Sequence, residues 1–210
     1  MRLARFLAFV VVITLAACGG ESDDGEAPTA APAGLAEAGP LGDEALGNPA
    51  APVTVIEYAS MTCPHCRAFH EDVFDDFVAQ YVDTGRVYFI FREFPLDPAA
   101  AAAAAIARCA PGDDAYFGLV DLFFETQPTW AAAGGNYLAA LTAVATQAGL
   151  TAESVEECLS NQDIIDGIYW NYDRGTELGV NATPTFFIDG ERYPGELSLE
   201  RLGELVAAAE

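Results

Sequence analysis

Lysine is absent from the 210-residue sequence, and nine arginines stand against 32 acidic residues. The formal net charge of -23 argues against nucleic acids and anionic lipids as binding partners. Histidine is also scarce, with two residues, one of them inside a two-cysteine motif. A structural zinc site needs four ligands, usually two cysteine pairs or a pair plus histidines, so this composition disfavours zinc.

A long apolar run is missing too. The run from Phe6 to Ala17 has 12 residues, which is too short to span a bilayer as a helix. It follows Arg2 and Arg5, and a basic start before a short apolar core is typical of an export signal, here residues 1–17. The run ends in LAAC, which resembles the bacterial lipobox. We therefore predict that Cys18 is lipidated, the alternative being ordinary secretion with a free thiol.

Residues 18–46 comprise this cysteine and a segment rich in Gly, Ala, Pro, Asp and Glu, without aromatic residues or an apolar period. Such a composition predicts a flexible acidic tether. Its expected role is to hold a globular domain away from the membrane, to which lipid would anchor it without a spanning helix.

The rest of the chain shows the order β-α-β, a block of helices, and β-β-α. Val53–Ala59 and Arg86–Phe94 are apolar and β-branched or aromatic, which predicts strands on either side of a helix over Pro64–Val82. The pattern from Pro95 to Gly175 is helical. Asp189-Gly190 predicts a hairpin turn between two short strands, and a last helix follows. This order resembles an α/β, thioredoxin-like sheet, residues 47–96 and 176–210, with a helical insertion at 97–175.

Cys63 and Cys66 form a CPHC motif between the first strand and the first helix. Pro64 suits the first helical position, so Cys63 is expected beside the unpaired N–H groups and the positive dipole end of the helix. Both effects, with a donor or a charge from His65, favour the Cys63 thiolate and make a disulfide with Cys66 an oxidant. A copper-binding thiol carrier and an inert structural disulfide remain alternatives.

The stretches APVTVIEYASMTCPHC, FREFPL and NATPTFFIDG resemble the DsbA-like thiol–disulfide oxidoreductases of the bacterial envelope, from about Gly47 to the C-terminus. The resemblance implies that Cys63 is the nucleophile and Cys66 its partner. It also implies that Pro184 is a cis-proline facing the CPHC motif. Thr183, before it, would then offer backbone groups to an extended substrate peptide.

Glu57 lies six residues before Cys63, in an otherwise apolar strand and on the same face as Val53 and Val55. A carboxylate on a buried face is costly unless it is paired or protonated. The family places an acidic group beneath the CPHC motif as a proton acceptor. We therefore expect Glu57 to have a raised pKa and to take up the Cys66 proton, the alternative being a solvated strand residue.

Two further cysteines, Cys109 and Cys158, fall on helical faces with apolar neighbours. Because an exported protein can form disulfides, we predict a structural disulfide between them, the alternative being two buried free thiols.

The sequence thus predicts a lipid-anchored enzyme of the bacterial cell envelope, facing the periplasm or extracytoplasmic space. It is expected to introduce disulfides into unfolded or partly folded exported proteins with cysteines, and to be reoxidised by a membrane partner. No organic cofactor or metal is expected. A reductase or isomerase, a copper carrier and a binding module without the chemistry remain alternatives.

Overall fold

A five-stranded mixed sheet organises residues 31–210, the part of the chain that this computed structural model describes. The predicted signal peptide and the lipidation site Cys18 lie outside the described residues. The strands are β1 (Glu44–Leu46), β2 (Val53–Ala59), β3 (Val87–Glu93), β4 (Thr185–Ile188) and β5 (Glu191–Pro194). Their order in the sheet is β1-β3-β2-β4-β5.

The central strands pair as the β-α-β pattern predicts. β2 and β3 are parallel, while β4 runs antiparallel to β2 and forms a hairpin with β5. The hairpin turns at Asp189 and Gly190, both with positive φ, at 47° and 92°. Aspartate and glycine tolerate this left-handed backbone, which explains the turn signal in the sequence.

Helices cover the sheet and fill the connection between β3 and β4. The segment after the CPHC motif begins as α1 (Pro64–Phe69) and contains α2 (Asp75–Phe77) between π-helical turns at His70–Phe74 and Val78–Val82. The insertion contains α3 (Pro98–Ala107), α4 (Asp113–Glu125), α5 (Gln127–Trp130), a 3-10 turn (Ala131–Asn136), α6 (Tyr137–Gln147), α7 (Ala152–Ser160) and α8 (Gln162–Glu177). The chain closes with α9 (Leu199–Ala209). This architecture confirms the predicted α/β, thioredoxin-like fold with a helical insertion.

Apolar side chains cover both faces of the sheet. The larger core joins one face to α1, the insertion and α9, through residues such as Val55, Phe69, Phe123 and Val206. A smaller core on the other face includes Leu35, Tyr58, Phe94 and Phe187. Two buried faces explain why β2 and β3 read as nearly continuous apolar runs.

A buried carboxylate fastens the insertion to the sheet. Glu93, at the end of β3, is paired with Arg108, which follows α3. It also accepts hydrogen bonds from Tyr116 on α4 (2.8 Å) and Asn171 on α8 (2.7 Å). One side chain therefore connects three insertion helices to the end of strand β3.

The prediction of a flexible tether over residues 18–46 is wrong for residues 31–46. Glu44–Leu46 forms β1, which pairs antiparallel with β3. The buried guanidinium of Arg92 donates hydrogen bonds to Asp43 (2.8 and 3.0 Å) and to the carbonyl oxygen of Leu35 (2.8 Å). The segment is ordered because it supplies the acceptors that this arginine needs and covers the edge of β3.

Within residues 31–210, no helix combines the length and the apolarity that crossing a membrane requires.

Candidate functional site

Cys63 lies at the junction between β2 and α1. It is the residue before the helix, has an extended backbone (φ -77°, ψ 121°), and is followed by Pro64 in the first turn. The Arg67 N–H binds the Cys63 carbonyl oxygen at 3.1 Å, so the helix starts as the CPHC pattern predicts. Because the first N–H groups of a helix have no partner within the helix, they are free to face the Cys63 sulfur.

The two thiols of the motif differ in exposure. Both cysteines are in the free, dithiol form; Cys63 keeps 5% of its surface exposed, whereas Cys66 keeps none. A thiolate from another molecule can therefore reach Cys63 but not Cys66. Cys66, one turn into α1, is placed to react only with its neighbour.

The surroundings shift the pKa values of Cys63 and Cys66 in opposite directions. A hydrogen bond from the Cys66 thiol, together with Thr183 and the backbone N–H groups of Cys66 and His65, outweighs burial and lowers the pKa of Cys63 to about 5. Burial, the hydrogen bond to Cys63 and the charge of Glu57 raise the pKa of Cys66 well above its ordinary value. At neutral pH the site therefore holds one thiolate and one thiol, with the thiolate on the accessible sulfur.

A cis peptide bond stands opposite the motif. The Thr183–Pro184 bond is cis, and the Thr183 carbonyl oxygen lies 3.2 Å from the Cys63 Sγ, which donates to it when Cys63 is protonated. The Pro184 carbonyl oxygen accepts a hydrogen bond of 2.8 Å from the Gly195 N–H. Thr183 thus meets Cys63 although 120 residues separate them in the chain.

His65 acts on Cys63 through its backbone. Its imidazole is 72% exposed and pairs with Glu196, which follows β5. The His65 contribution to the low pKa of Cys63 comes instead from its N–H group. The sequence had suggested a donor or charge from His65; the structure supplies the donor from the main chain.

Gln127, from the insertion, holds the loop that leads into the CPHC motif. Its buried side-chain amide donates to the carbonyl oxygens of Met61 (2.9 Å) and Cys63 (3.0 Å). Sequence reasoning missed this residue and the short helix α5 that begins with it. No local pattern identifies it, because its partners lie 66 and 64 residues away.

Glu57 is fully buried and is paired with the second histidine. Its Oε2 lies 3.0 Å from the Nε2 of His70, and both side chains are almost completely enclosed. Burial opposes a charge on His70, but Glu57 and Asp121 outweigh it and raise the pKa of His70 to about 9. The sequence contained a signal for the burial of His70. It lies four residues from both Cys66 and Phe74, and this spacing places all three on the same, buried side of the helical segment.

Cys109 and Cys158 are joined by a disulfide (S–S 1.98 Å) between the residues after α3 and helix α7. This bond lies within the helical insertion and belongs to elements that carry none of the CPHC site. Among residues 31–210 there is no group of three or more His, Cys, Asp or Glu side chains arranged to hold a metal ion.

Comparison with known proteins gives the same fold. A family model described as Thioredoxin matches residues 41–208. The crystal structure of Wolbachia pipientis alpha-DsbA1 is similar with a TM-score of 0.75 and 31% identity, covering 80% of this chain and 90% of that one. Bacillus subtilis BdbD has a TM-score of 0.71 and 22% identity, with 80% and 92% coverage, and shows likeness of fold.

A curated Rickettsia felis protein, whose name provisionally calls it a protein-disulfide oxidoreductase, is 30% identical over 172 residues. The match covers 80% of this chain and 60% of that protein, so the chain spans about three fifths of that relative's length. With the family model matching most of the chain, and a CPHC dithiol facing a cis-proline on a thioredoxin-like sheet, the chain belongs to the DsbA-like family.

Proposed function

We propose that this protein exchanges disulfides with exported, cysteine-containing proteins and acts as an oxidase that introduces disulfides into them. The observation that carries the proposal is the separation of the two acidities: a pKa of about 5 at the accessible Cys63 and a raised pKa at the enclosed Cys66. A stable thiolate favours the reduced pair, which makes the disulfide form an oxidant.

The reaction begins with the Cys63–Cys66 disulfide. A client thiolate attacks the Cys63 sulfur, forming a mixed disulfide, and Cys66 leaves as a thiolate that takes up a proton. A second client thiolate then attacks the client sulfur of the mixed disulfide, and Cys63 leaves as a thiolate. The client has lost two electrons to form its disulfide, and the enzyme has gained two as a dithiol. A membrane partner that accepts these electrons would restore the enzyme disulfide.

Thr183 and Pro184 are the proposed client-binding residues. Thr183 already contacts the Cys63 sulfur through its carbonyl oxygen. An extended client segment that pairs with this main chain would bring its own sulfur to Cys63 without any demand on the client sequence. Such binding suits unfolded clients with different sequences.

The site of action is proposed as the bacterial envelope, outside the cytoplasmic membrane, with lipid at Cys18 as the anchor. The proposal rests on the basic and apolar N-terminal sequence that ends in LAAC. Radiolabelled fatty acid incorporated by the full chain, and lost in a Cys18→Ala variant, would support it. Label retained by that variant would overturn it.

The function is tested by trapping and by a redox titration. A Cys66→Ala variant is expected to accumulate mixed disulfides through Cys63, while Cys63→Ala, its matched control, accumulates none. In glutathione buffers the wild-type pair is expected to remain reduced under conditions that oxidise ordinary thiols. A pair that oxidises as readily as ordinary protein thiols would overturn the oxidase direction and favour a reductase or isomerase. Stoichiometric Cu(I) binding without dithiol oxidation would favour a carrier, and absence of both activities a binding module.

A further inference from the structure

Glu57, the carboxylate whose charge acts on Cys66, is buried beside a histidine. Glu57 is wholly enclosed, and its Oε1 has no hydrogen-bond partner among the described residues. Its other oxygen contacts His70 at 3.0 Å. Any proton that Glu57 takes from the enclosed Cys66 thiol must therefore leave through His70 or return to Cys66.

The opposite side of His70 faces the surface. Its Nδ1 has no hydrogen bond within the described part of the chain and lies 3.6 Å from the Oδ1 of Asp121 on α4. The Asp121 side chain is 50% exposed. It lines an open cavity of about 250 Å³ together with His70 and Glu125. A small rotation of this exposed carboxylate, or one water molecule, would close the gap to Nδ1.

We propose that Glu57, His70 and Asp121 form a proton relay that connects the buried Cys66 thiol with solvent, with Asp121 as its outer, positioning residue. The supporting geometry is that the two nitrogens of the His70 imidazole lie between the enclosed carboxylate of Glu57 and the exposed carboxylate of Asp121. The relay serves thiol–disulfide exchange in either direction, so it does not rest on the proposed net oxidation of clients.

The proton transfers balance in both directions. When Cys66 attacks, its thiol proton goes to Glu57. The imidazolium of His70 keeps its Nε2 proton toward Glu57 and releases its Nδ1 proton to Asp121 or to water in the cavity, so one proton reaches the cavity for each proton that Cys66 gives up. When Cys66 is the leaving thiolate, the same protons move inward. Histidine suits this position because its two ring nitrogens donate and accept on opposite sides without rotation of the ring.

The surroundings of His70 favour proton transfer along this line. The ring is packed by Phe69, Phe74, Phe91 and Phe124, which offer no proton acceptor. The titratable groups that face the ring or its cavity are Glu57 from β2, Asp121 and Glu125 from α4, and Glu71 and Asp75 from the helical segment that follows α1. Glu71 is engaged by Arg67 at 2.9 Å. Asp121 is the carboxylate within salt-bridge distance of Nδ1.

The test isolates the step that uses Cys66. Cys63 is converted to a mixed disulfide with an aromatic thiol, and the coloured thiolate is released when Cys66 attacks Cys63 within the same molecule. Release is followed over pH 5 to 9 at low and high concentrations of imidazole buffer. The variants are Asp121→Asn and His70→Asn, with Glu125→Gln as the matched control because it removes a carboxylate from the same cavity.

We expect Asp121→Asn to slow release roughly tenfold in dilute buffer and to recover as imidazole rises, whereas Glu125→Gln leaves the rate unchanged. A merely structural Asp121 would show no rescue by buffer. Equal rates for Asp121→Asn and wild type, or equal slowing by Asp121→Asn and Glu125→Gln, would overturn the relay. Because Asp121 is at the surface, this variant decides the question even if His70→Asn does not fold. Failure of client oxidation with normal release kinetics would count against the proposed function and leave the relay intact.

Discussion

From the low pKa of Cys63 we predict how the reduction potential of the CPHC pair changes with pH. Between the pKa of Cys63, about 5, and the raised pKa of Cys66, reduction takes up one proton for two electrons. The potential is then expected to fall by about 30 mV per pH unit. Below pH 5 both sulfurs bind protons on reduction, and the slope becomes about 59 mV per pH unit.

The size of the effect at neutral pH follows from the same pKa. Two pH units separate pH 7 from a pKa of about 5, so ionisation of Cys63 favours the dithiol by about 2.7 kcal/mol over a fully protonated pair. This corresponds to a potential about 60 mV more oxidising.

Stability supplies an independent readout of the same thiolate. The pKa of Cys63 is lower in the folded protein, about 5, than its ordinary value of 9. A lowered pKa contributes stability that is fully present above pH 9 and is lost as pH falls through 5. As pH rises from 5 to 9, the unfolding free energy of the reduced protein should therefore increase relative to that of the disulfide form. The increase is up to about 1.4 kcal/mol per pH unit.

The assay is equilibration of the protein with a dithiol buffer from pH 4 to pH 8, with the reduced fraction measured by alkylation. The ultraviolet absorbance of the Cys63 thiolate in Cys66→Ser and Cys66→Ala tests whether the hydrogen bond from residue 66 causes the low pKa of Cys63. The serine hydroxyl keeps a donor to Cys63 and should preserve more of the low pKa than alanine does. A slope of 59 mV per pH unit throughout the range, with no break near pH 5, would refute the reasoning.

Three further predictions concern the contacts that hold the site and the fold. Gln127→Ala should lower the unfolding free energy by about 1–3 kcal/mol in denaturant titration, since it leaves two buried carbonyl oxygens, at Met61 and Cys63, without their donor; equal stability would contradict this. Replacing Cys109 and Cys158 together by alanine opens a loop of sequence separation 49 and should cost about 4 kcal/mol, measured in the same way against the wild-type disulfide form; a loss below about 1 kcal/mol would count against the loop-entropy account. Arg92→Leu should release residues 31–46 and expose them to limited proteolysis, with Arg201→Leu as a surface control; identical digestion patterns would show that β1 pairing alone holds the segment.

The sequence alone was sufficient for elements that rest on local pattern. Three elements follow from signals within a few positions of the chain: β2 from an apolar, β-branched run, the start of α1 from a proline in the first turn, and the hairpin at Asp189-Gly190 from its turn residues. The CPHC motif also placed Cys63 and Cys66 between a strand and a helix, where the structure has them. These features depend on neighbours in the chain, and their physical causes are therefore visible in the chain.

Other features were decided by tertiary structure, because the partners are far apart in sequence. The pairing of Glu57 with His70, the support of Cys63 by Gln127 and the order in residues 31–46 each need a surface that forms only on folding. The direction of each thiol's acidity likewise depends on burial and on donors that arrive from other elements. The amino-acid order thus determined which two cysteines lie at the start of α1. The folded chain determined how much their pKa values differ, because the pKa of a group responds to the charges, donors and solvent around it in space.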